Sequence, residues 1–457
     1  MFRRILIANR GEIALRIARA CRELGVKTVT VYSEADRDAP WLDESDERVC
    51  VGPARADASY LNADAILQAA EQHDCQAIHP GYGFLAENAV FAARCEQQGI
   101  TFIGPGALSI GRMGDKVEAK RSMAAAGLPT IPGSDGALGS ADEAVRLAER
   151  IGYPVLLKAS AGGGGRGMRR CEDDSGVMRA YDEAAFEAAS AFGNPELYLE
   201  KLIEGGRHIE IQVLADGYGS AIHLGERECS IQRSHQKLIE ESPSPVIDVR
   251  TRTNLGRKAA KAAAQVGYRN AGTVEFLRSP DGELWFMEMN TRLQVEHPVT
   301  EMVTGVDLVI EQLRVAARHR LRHRQADVQL TGHAIEFRIN AEDPDAGFRP
   351  DPGEIGGLTV GRSARSGASV RWDSAAREGY RVAPHYDSMI GKLIVHASDR
   401  PAAVEAARDV LDSMRIEGVR TTLELHRRIV RDAVFERGEY DIEFLTRRGL
   451  VGTGQAG

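Results

Sequence analysis

Near the start of the chain, Ile5-Leu6-Ile7-Ala8 runs through Asn9-Arg10-Gly11 straight into a helical stripe, Ile13, Ile17, Ala20, Cys21 and Leu24. Four consecutive apolar residues read as a buried strand, and apolar residues three and four apart read as one face of a helix. Gly25 ends that helix, and Thr28–Tyr32 reads as the next strand. Two strands joined by a helix run the same way and share a sheet, because only a crossover of this length can return the chain to a parallel neighbour. The alternation continues through Ala77-Ile78 and Ile100-Thr101-Phe102-Ile103 to about residue 105. It predicts a doubly wound α/β unit with a parallel sheet. Loops at its strand ends include Asn9-Arg10-Gly11 and His79-Pro80-Gly81-Tyr82-Gly83-Phe84. The second reads equally well as a ligand loop or as a glycine turn capping a helix.

A chain of 457 residues has room for roughly two to four such packed units. Turn residues cluster again at 129–139. A smaller unit follows: helix 141–151, strand Val155-Leu156-Leu157-Lys158, a glycine loop, a helix near 176–192 and strand Leu197-Tyr198-Leu199-Glu200. Strands resume at Ile209–Leu214, and a third unit runs to about 446 with helical stretches at 401–414 and 420–433. The stretch Gly449–Gly457 carries no apolar pattern and is expected to be disordered.

Bulk chemistry narrows the function. Lys and Arg number 58 against 66 Asp and Glu, a net charge of −8. That argues against a general nucleic-acid surface and requires any anionic ligand to be held by a local positive cluster. The six cysteines show no paired CxxC spacing, which argues against a zinc ribbon or a disulfide scaffold and fits a reducing cytosol. The amino-terminal apolar run is too short for a signal peptide, and no stretch approaches the roughly 20 residues that span a bilayer. A soluble, cytoplasmic protein is expected.

Three segments carry chemistry. Residues 288–296, Glu-Met-Asn-Thr-Arg-Leu-Gln-Val-Glu, would as an extended segment put Glu288, Asn290, Arg292, Gln294 and Glu296 on one face. Such a row is either a solvated sheet face or a concentrated set of metal ligands, anion clamps and proton acceptors. Glu275 and Glu288 flank the turn Ser279-Pro280-Asp281-Gly282. In a hairpin symmetric about Pro280–Asp281, Glu275 faces Phe286, and Glu288 is its diagonal neighbour on the same face; an odd loop would separate the two acids. Two adjacent carboxylates repel unless a cation or a proton joins them, and Mg²⁺ favours one or two carboxylates plus substrate phosphates, with Asn290 completing an oxygen set. The loop Ala161-Gly162-Gly163-Gly164-Gly165-Arg166-Gly167 offers successive backbone N–H groups to phosphate oxygens, as a lid, or is a flexible linker. It is neither a Walker A loop nor a Rossmann fingerprint. Lys116 and Lys158 could add positive charge, and the dense polar run 228–237, with Gln232, His235 and Lys237, suggests a ligand-facing strand. Cys229 within it reads as a buried filler, and Arg338 as either a functional group or a member of a structural ion pair with Glu336.

Taken together these segments resemble the biotin carboxylases of bacterial acetyl-CoA carboxylase, ATP-grasp enzymes. The resemblance rests on IANRGEIA at 7–14, HPGYGFLAEN at 79–88, Met113–Lys116, Lys158–Met168, HIEIQVLAD at 208–216, EMNTRLQVEHPVT at 288–300, INAEDP at 339–344 and YDSMIGKL at 386–393. It implies an α/β and α+β architecture: a doubly wound amino-terminal domain over 1–115, a small ATP-grasp lid over 116–203, a larger domain with a mainly antiparallel sheet over 204–446, and a flexible tail over 447–457. It implies MgATP-dependent carboxylation of biotin by bicarbonate through carboxyphosphate, with two Mg²⁺ ions and Mn²⁺ able to substitute. Lys116, Lys158, Gly162, Gly163, Gly164, Gly165, Glu200, Lys201, Ile203, His208, Gln232, His235 and Leu277 match the nucleotide contacts. Glu275, Glu288 and Asn290 match the metal positions; Lys237, Arg292, Gln294 and Val295 match the bicarbonate site. Glu296 matches the base, Arg338 the residue that stabilises the enolate of biotin, and Tyr82 a neighbour of biotin. Ala161 and His385 depart from the pattern, outside the residues assigned to chemistry.

The same resemblance implies a homodimer. No Ala-Met-Lys-Met-like hairpin is present, so biotin is expected on a separate carrier protein, with carboxyltransferase subunits as further partners. A pyruvate or other acyl-CoA system, or a carbamoyl-phosphate-synthetase-like ligase using the same bicarbonate activation, is the alternative; an idle regulatory subunit is a third.

Overall fold

The computed structural model describes residues 1–160 and 168–451. The glycine loop, including Gly162, Gly163, Gly164 and Gly165, and the end of the tail lie outside the described residues.

The first unit is built on β1 (Arg4–Ile7), β2 (Lys27–Ser33), β3 (Glu47–Gly52), β4 (Ala77–His79) and β5 (Thr101–Phe102), in the order β3-β2-β1-β4-β5. Every pairing is parallel. Ile5, Leu6 and Ile7 are fully buried, as a strand covered on both faces must be. The helix Gly11–Glu23 buries Ile13, Ile17, Ala20 and Cys21 against it. Two loops are stitched at the sheet's edge: the Asn9 amide donates to the carbonyls of Pro80 (2.6 Å) and Tyr82 (2.7 Å). Gly81 has φ +62°, and a Cβ there would come within 2.9 Å of the Asn9 amide nitrogen, so only glycine lets the loops approach.

The second unit is a three-stranded antiparallel sheet, with β6 (Val155–Ala159) between β7 (Arg169–Cys171) and β8 (Leu197–Lys201). Helices Ala141–Ile151 and Asp174–Phe192 cover it, and Ala144, Ala148, Ala184 and Ala188 make the tight contact with Val155, Leu157 and Leu199. Helix Lys116–Ala125 instead sends Ala119 and Met123, followed by Leu128, into the core of the large sheet.

That large sheet has eight antiparallel strands: β9 (Arg207–Ala215), β10 (Ala221–Arg233), β11 (Gln236–Ser242), β12 (Asn270–Arg278), β13 (Leu284–Asn290), β14 (His333–Asn340), β15 (Ser369–Ser374) and β16 (Met389–Ala397), ordered β13-β12-β9-β10-β11-β14-β16-β15. Along β9, Ile211 and Val213 enter the core beneath helix Val249–Gln265, while His208, Glu210 and Gln212 alternate with them on the other face.

Four expectations change. The run 228–237 is a hairpin, not one strand. Ser234 (φ 46°) and His235 (φ 65°) both adopt the left-handed conformation of a two-residue turn between β10 and β11. The helical stretch 420–433 is split into Leu423–Ile429 and Ala433–Arg437, with Asp432 capping the second. Leu450 and Val451, inside the span 447–457 expected to be a tail, pack on the carboxy-terminal core. Residues 291–296 leave the strand: β13 ends at Asn290 and a helix begins at His297. Among the described residues, no helix is long and apolar enough to cross a membrane.

Candidate active site

A cavity of about 570 Å³ opens between the small sheet, the large sheet and the loops of the first unit. Strand β6 supplies Leu156 and Lys158, and β8 and its continuation supply Glu200, Lys201, Leu202 and Ile203. The large sheet supplies His208, Gln232, Lys237, Glu275, Leu277, Glu288, Asn290 and Arg338, and the β10–β11 turn supplies His235. Arg292, Gln294 and Val295 come from the segment after β13, Tyr82 from the first unit and Lys116 from the helix after it. Sequence reasoning missed the apolar walls Ile131, Met168, Met287 and Ile442. Ile442 is more than 200 positions from most of its neighbours in the cavity, and no local pattern announces it.

The hairpin behind the two acids differs from expectation in an informative way. Its loop is Pro280-Asp281-Gly282: Ser279 and Glu283 close it by a backbone bond of 2.8 Å. This odd loop by itself would turn Glu288 to the core face. The register then shifts between Glu275/Glu288 and Phe276/Phe286, leaving Met287 as an extra, exposed residue. That bulge restores the parity, and Glu275 lies directly opposite Glu288 rather than opposite Phe286. Burial raises the Glu288 carboxyl above its ordinary range and the neighbouring Glu275 adds to it, with Lys116 working against. A hard divalent cation fits this set: two carboxylates in direct opposition, and the Asn290 carbonyl oxygen beside them, whose amide nitrogen donates to Glu275 (2.8 Å).

Deeper in, the Lys237 ammonium is held by three carboxylates: Glu210 (2.6 Å), Glu275 (3.0 Å) and Glu296 (2.7 Å). Burial alone would push it down, yet the three acids outweigh burial and hold it well above its ordinary value. His208 stands 3.2 Å from Glu275. Burial would deprotonate it, but Glu275 and Glu210 overcome burial and Lys237 to push it up to about 9. His208, Glu210 and Glu275 could also gather a metal ion, but the Lys237 ammonium already bridges Glu210 and Glu275. Glu210 was not anticipated; its signal was the polar alternation 208, 210, 212 inside an apolar strand.

Glu296 does not line the cavity. It is fully buried one side chain behind it, between Lys237 and the Arg338 guanidinium (2.8 Å). Burial opposes its ionisation, but Lys237 and Arg338, with Arg227, outweigh burial and Glu210 and hold it below the usual carboxylate range. It is therefore ionised and able to accept a proton. Arg338 also donates to Glu240 (2.6 Å). Burial pushes the Glu240 carboxyl up to about 7 against the pull of Arg338, with Glu296 adding to the rise. Arg292 is oriented by Glu87 (2.9 Å), Gln294 (2.8 Å) and Asn290 (3.3 Å). Nothing in the local sequence flagged Glu87 or Glu240.

Two predicted residues act differently from their neighbours. The Lys201 ammonium bonds the carbonyls of Gly152 (3.1 Å) and Tyr153 (2.8 Å), which ties it to the turn before β6. Glu200 is tied to Lys158 (2.7 Å) and Lys120 (3.2 Å), which outweigh burial and keep it ionised, so it fixes one of the lysines that face the cavity.

A cavity with an apolar end, a lysine pair, opposed carboxylates and a buried base behind an arginine suits the activation of one anion by a phosphorylated nucleotide. Residues 1–110 match the family described as Biotin carboxylase, N-terminal domain, and 336–447 match Biotin carboxylase C-terminal domain. Residues 115–324 match Carbamoyl-phosphate synthase L chain, ATP binding domain. The biotin carboxylase of Pseudomonas aeruginosa is 52% identical over 449 residues, covering 98% of this chain and 99% of that one. One subunit of the pyruvate carboxylase of Methanothermobacter thermautotrophicus is also 52% identical, covering 98% and 91%. Among solved structures, the biotin carboxylase domain dimer of the Hydrogenobacter thermophilus 2-oxoglutarate carboxylase, in complex with MgADP, ADP and bicarbonate, aligns at TM-score 0.92 and 50% identity over 98% of each chain.

Proposed function

Because the chain belongs to the biotin carboxylase family, and is an ATP-dependent ligase of ATP-grasp fold, we propose that this cavity carboxylates biotin carried on a separate protein, as the first half-reaction of an acetyl-CoA carboxylase. The observation that carries the reading is the buried Glu296 held between Lys237 and Arg338, the two side chains that separate it from the cavity.

The adenine lies in the apolar end near Ile203 and Leu277, with Lys116 and Lys158 towards the phosphates and His208, Gln232 and His235 beside the nucleotide. Glu275, Glu288 and Asn290 would hold Mg²⁺, which would supply charge neutralisation for the phosphates of ATP. Bicarbonate, planar and anionic, suits the fork of Arg292 together with Gln294, the Val295 segment and Lys237. Glu296 takes the bicarbonate proton as its oxygen attacks the γ-phosphorus and the bond to ADP breaks, giving carboxyphosphate. Holding these reactants in line supplies about 7–11 kcal/mol of barrier reduction. Carboxyphosphate then releases CO₂ and phosphate; the phosphate takes the proton of the biotin ureido nitrogen, and that nitrogen takes up the CO₂ beside Tyr82 and Arg338, whose guanidinium stabilises the enolate form.

The reading places the protein in the cytoplasm as a homodimer, working with a biotin carboxyl carrier protein and carboxyltransferase subunits, in the committed step of fatty-acid synthesis. Support for the dimer comes from the described assembly of the Hydrogenobacter domain. The names of the relatives include pyruvate and 2-oxoglutarate carboxylases, so the acceptor is the finer question. It is tested by purifying the carrier and transferase that associate with this chain and supplying acetyl-CoA, pyruvate and 2-oxoglutarate in turn. Label from bicarbonate entering acetyl-CoA supports the reading; label entering only a keto acid replaces it.

A further inference from the structure

Lys392 on β16 is wholly buried and sits in register opposite Arg338 on β14, with Asp373 of β15 on its other side. Two cations directly opposed on neighbouring strands repel, and burying an ion pair adds little stability over an apolar side chain of the same size. Stability alone is therefore a poor account of a lysine here. Its bonds give a better one. The ammonium donates to the backbone carbonyl of Val295 (2.9 Å) and to Glu12 Oε1 (2.9 Å). The Tyr82 hydroxyl donates to that same Glu12 oxygen, and the ammonium lies 5.8 Å from the centre of the Tyr82 ring. One cation on the large sheet thus holds the loop wall at Val295 and, through the first turn of helix Gly11–Glu23, the aromatic wall at Tyr82.

We propose that Lys392 is a positioning residue that keeps the biotin side of the cavity, at Tyr82, in register with the bicarbonate side, at Val295. The inference rests on the proposed function and deepens it: Lys392 touches neither substrate, yet both substrate walls hang on its ammonium. Loss of that one group lets the walls drift apart, and a misplacement of about 1 Å is enough to weaken the productive hold on both substrates by up to about 10²-fold. The nucleotide end of the cavity, at Lys116, Lys158 and Ile203, has no bond to Lys392 and is unaffected.

The test is steady-state kinetics of the full chain with MgATP, bicarbonate and free biotin, for the wild type, Lys392→Met and the double variant Lys392→Met/Glu12→Gln. The double variant also neutralises Glu12, the carboxylate that the ammonium touches, which separates the loss of Lys392 from the cost of an unpaired Glu12; Asp373 and Glu336 face the site in both variants. Expected in whichever variant folds is a rise of about tenfold or more in the KM values of both biotin and bicarbonate. The MgATP KM stays within about twofold, as for distant sites. Any other pattern overturns the inference, including all three KM values rising together or a fall in kcat or thermal stability alone. A wild type that fails to carboxylate biotin is a different result: it removes the proposed function, and the Lys392 inference falls with it.

Discussion

Glu275 faces Glu288 directly across β12 and β13, because a three-residue turn and a bulge at Met287 cancel each other's change of parity. Without a cation the pair carries like-charge repulsion, which adds to the burial that raises the Glu288 carboxyl. Glu288→Gln removes the repulsion, and the metal-free protein is expected to gain about 0.5–1 kcal/mol in denaturant unfolding. The same change takes away a hard ligand, and Mg²⁺-dependent ATP hydrolysis is expected to fall by about 10²-fold or more. A variant that is both less stable and as active would show that the two acids serve some other purpose.

Lys237 compensates Glu210, Glu275 and Glu296 at once. Lys237→Met leaves three buried carboxylates sharing no central cation, and is expected to cost about 3–5 kcal/mol. Unfolding by urea measures it. A loss below about 1 kcal/mol, the size of an exposed pair, would contradict the burial argument.

Arg338 is forked between Glu240 and Glu296. A lysine offers a point charge rather than a planar fork. Arg338→Lys is expected to lower biotin-dependent turnover by about 10²-fold, the cost of losing one preorganised donor, while the MgATP KM, set at the other end of the cavity, moves by less than about twofold. Equal losses in both parameters would place Arg338 at the nucleotide instead.

His426 is fully buried, bonded at Nε2 to the Arg338 carbonyl (2.7 Å), and burial pushes it down to about 4. Its unfolded value is about 6.5, so between these two pH values the unfolded chain takes up a proton that the folded protein refuses. Its contribution is fully present above about pH 6.5 and is lost as pH falls towards 4, by about 3 kcal/mol in all. His426→Gln keeps a donor for the carbonyl and loses the titration. Its stability is expected to fall less steeply than that of the wild type from pH 6.5 to 4, measured by urea midpoints; parallel curves would contradict the assignment.

How far the sequence foretold this arrangement depends on the range of each signal. The parallel first unit was legible because strand and helix periods alternate within short windows, as at Ile5–Leu24. The opposition of Glu275 and Glu288 was legible in outcome and wrong in register, since neither the turn length nor the bulge is written in residue type alone. Alternating polarity across residues 291–296 reads as strand. They leave β13, and although Arg292 and Gln294 still line the cavity, the Thr291 hydroxyl and backbone N–H go to Glu87 and Glu296 sits behind the wall. Glu87, Glu240, Lys392 and Ile442 were invisible because their roles arise from contacts between units far apart in the chain. The family resemblance supplied what periodicity could not, the assignment of single positions to substrates.

The most direct test is transfer of label from ¹⁴C-bicarbonate to free biotin with MgATP, comparing the wild type with Glu296→Gln. Label should appear on biotin with the wild type only, with one ATP hydrolysed per carboxylation beyond the biotin-free rate. ATP hydrolysis stimulated by ammonia and not by biotin, or labelling unchanged in Glu296→Gln, would contradict it.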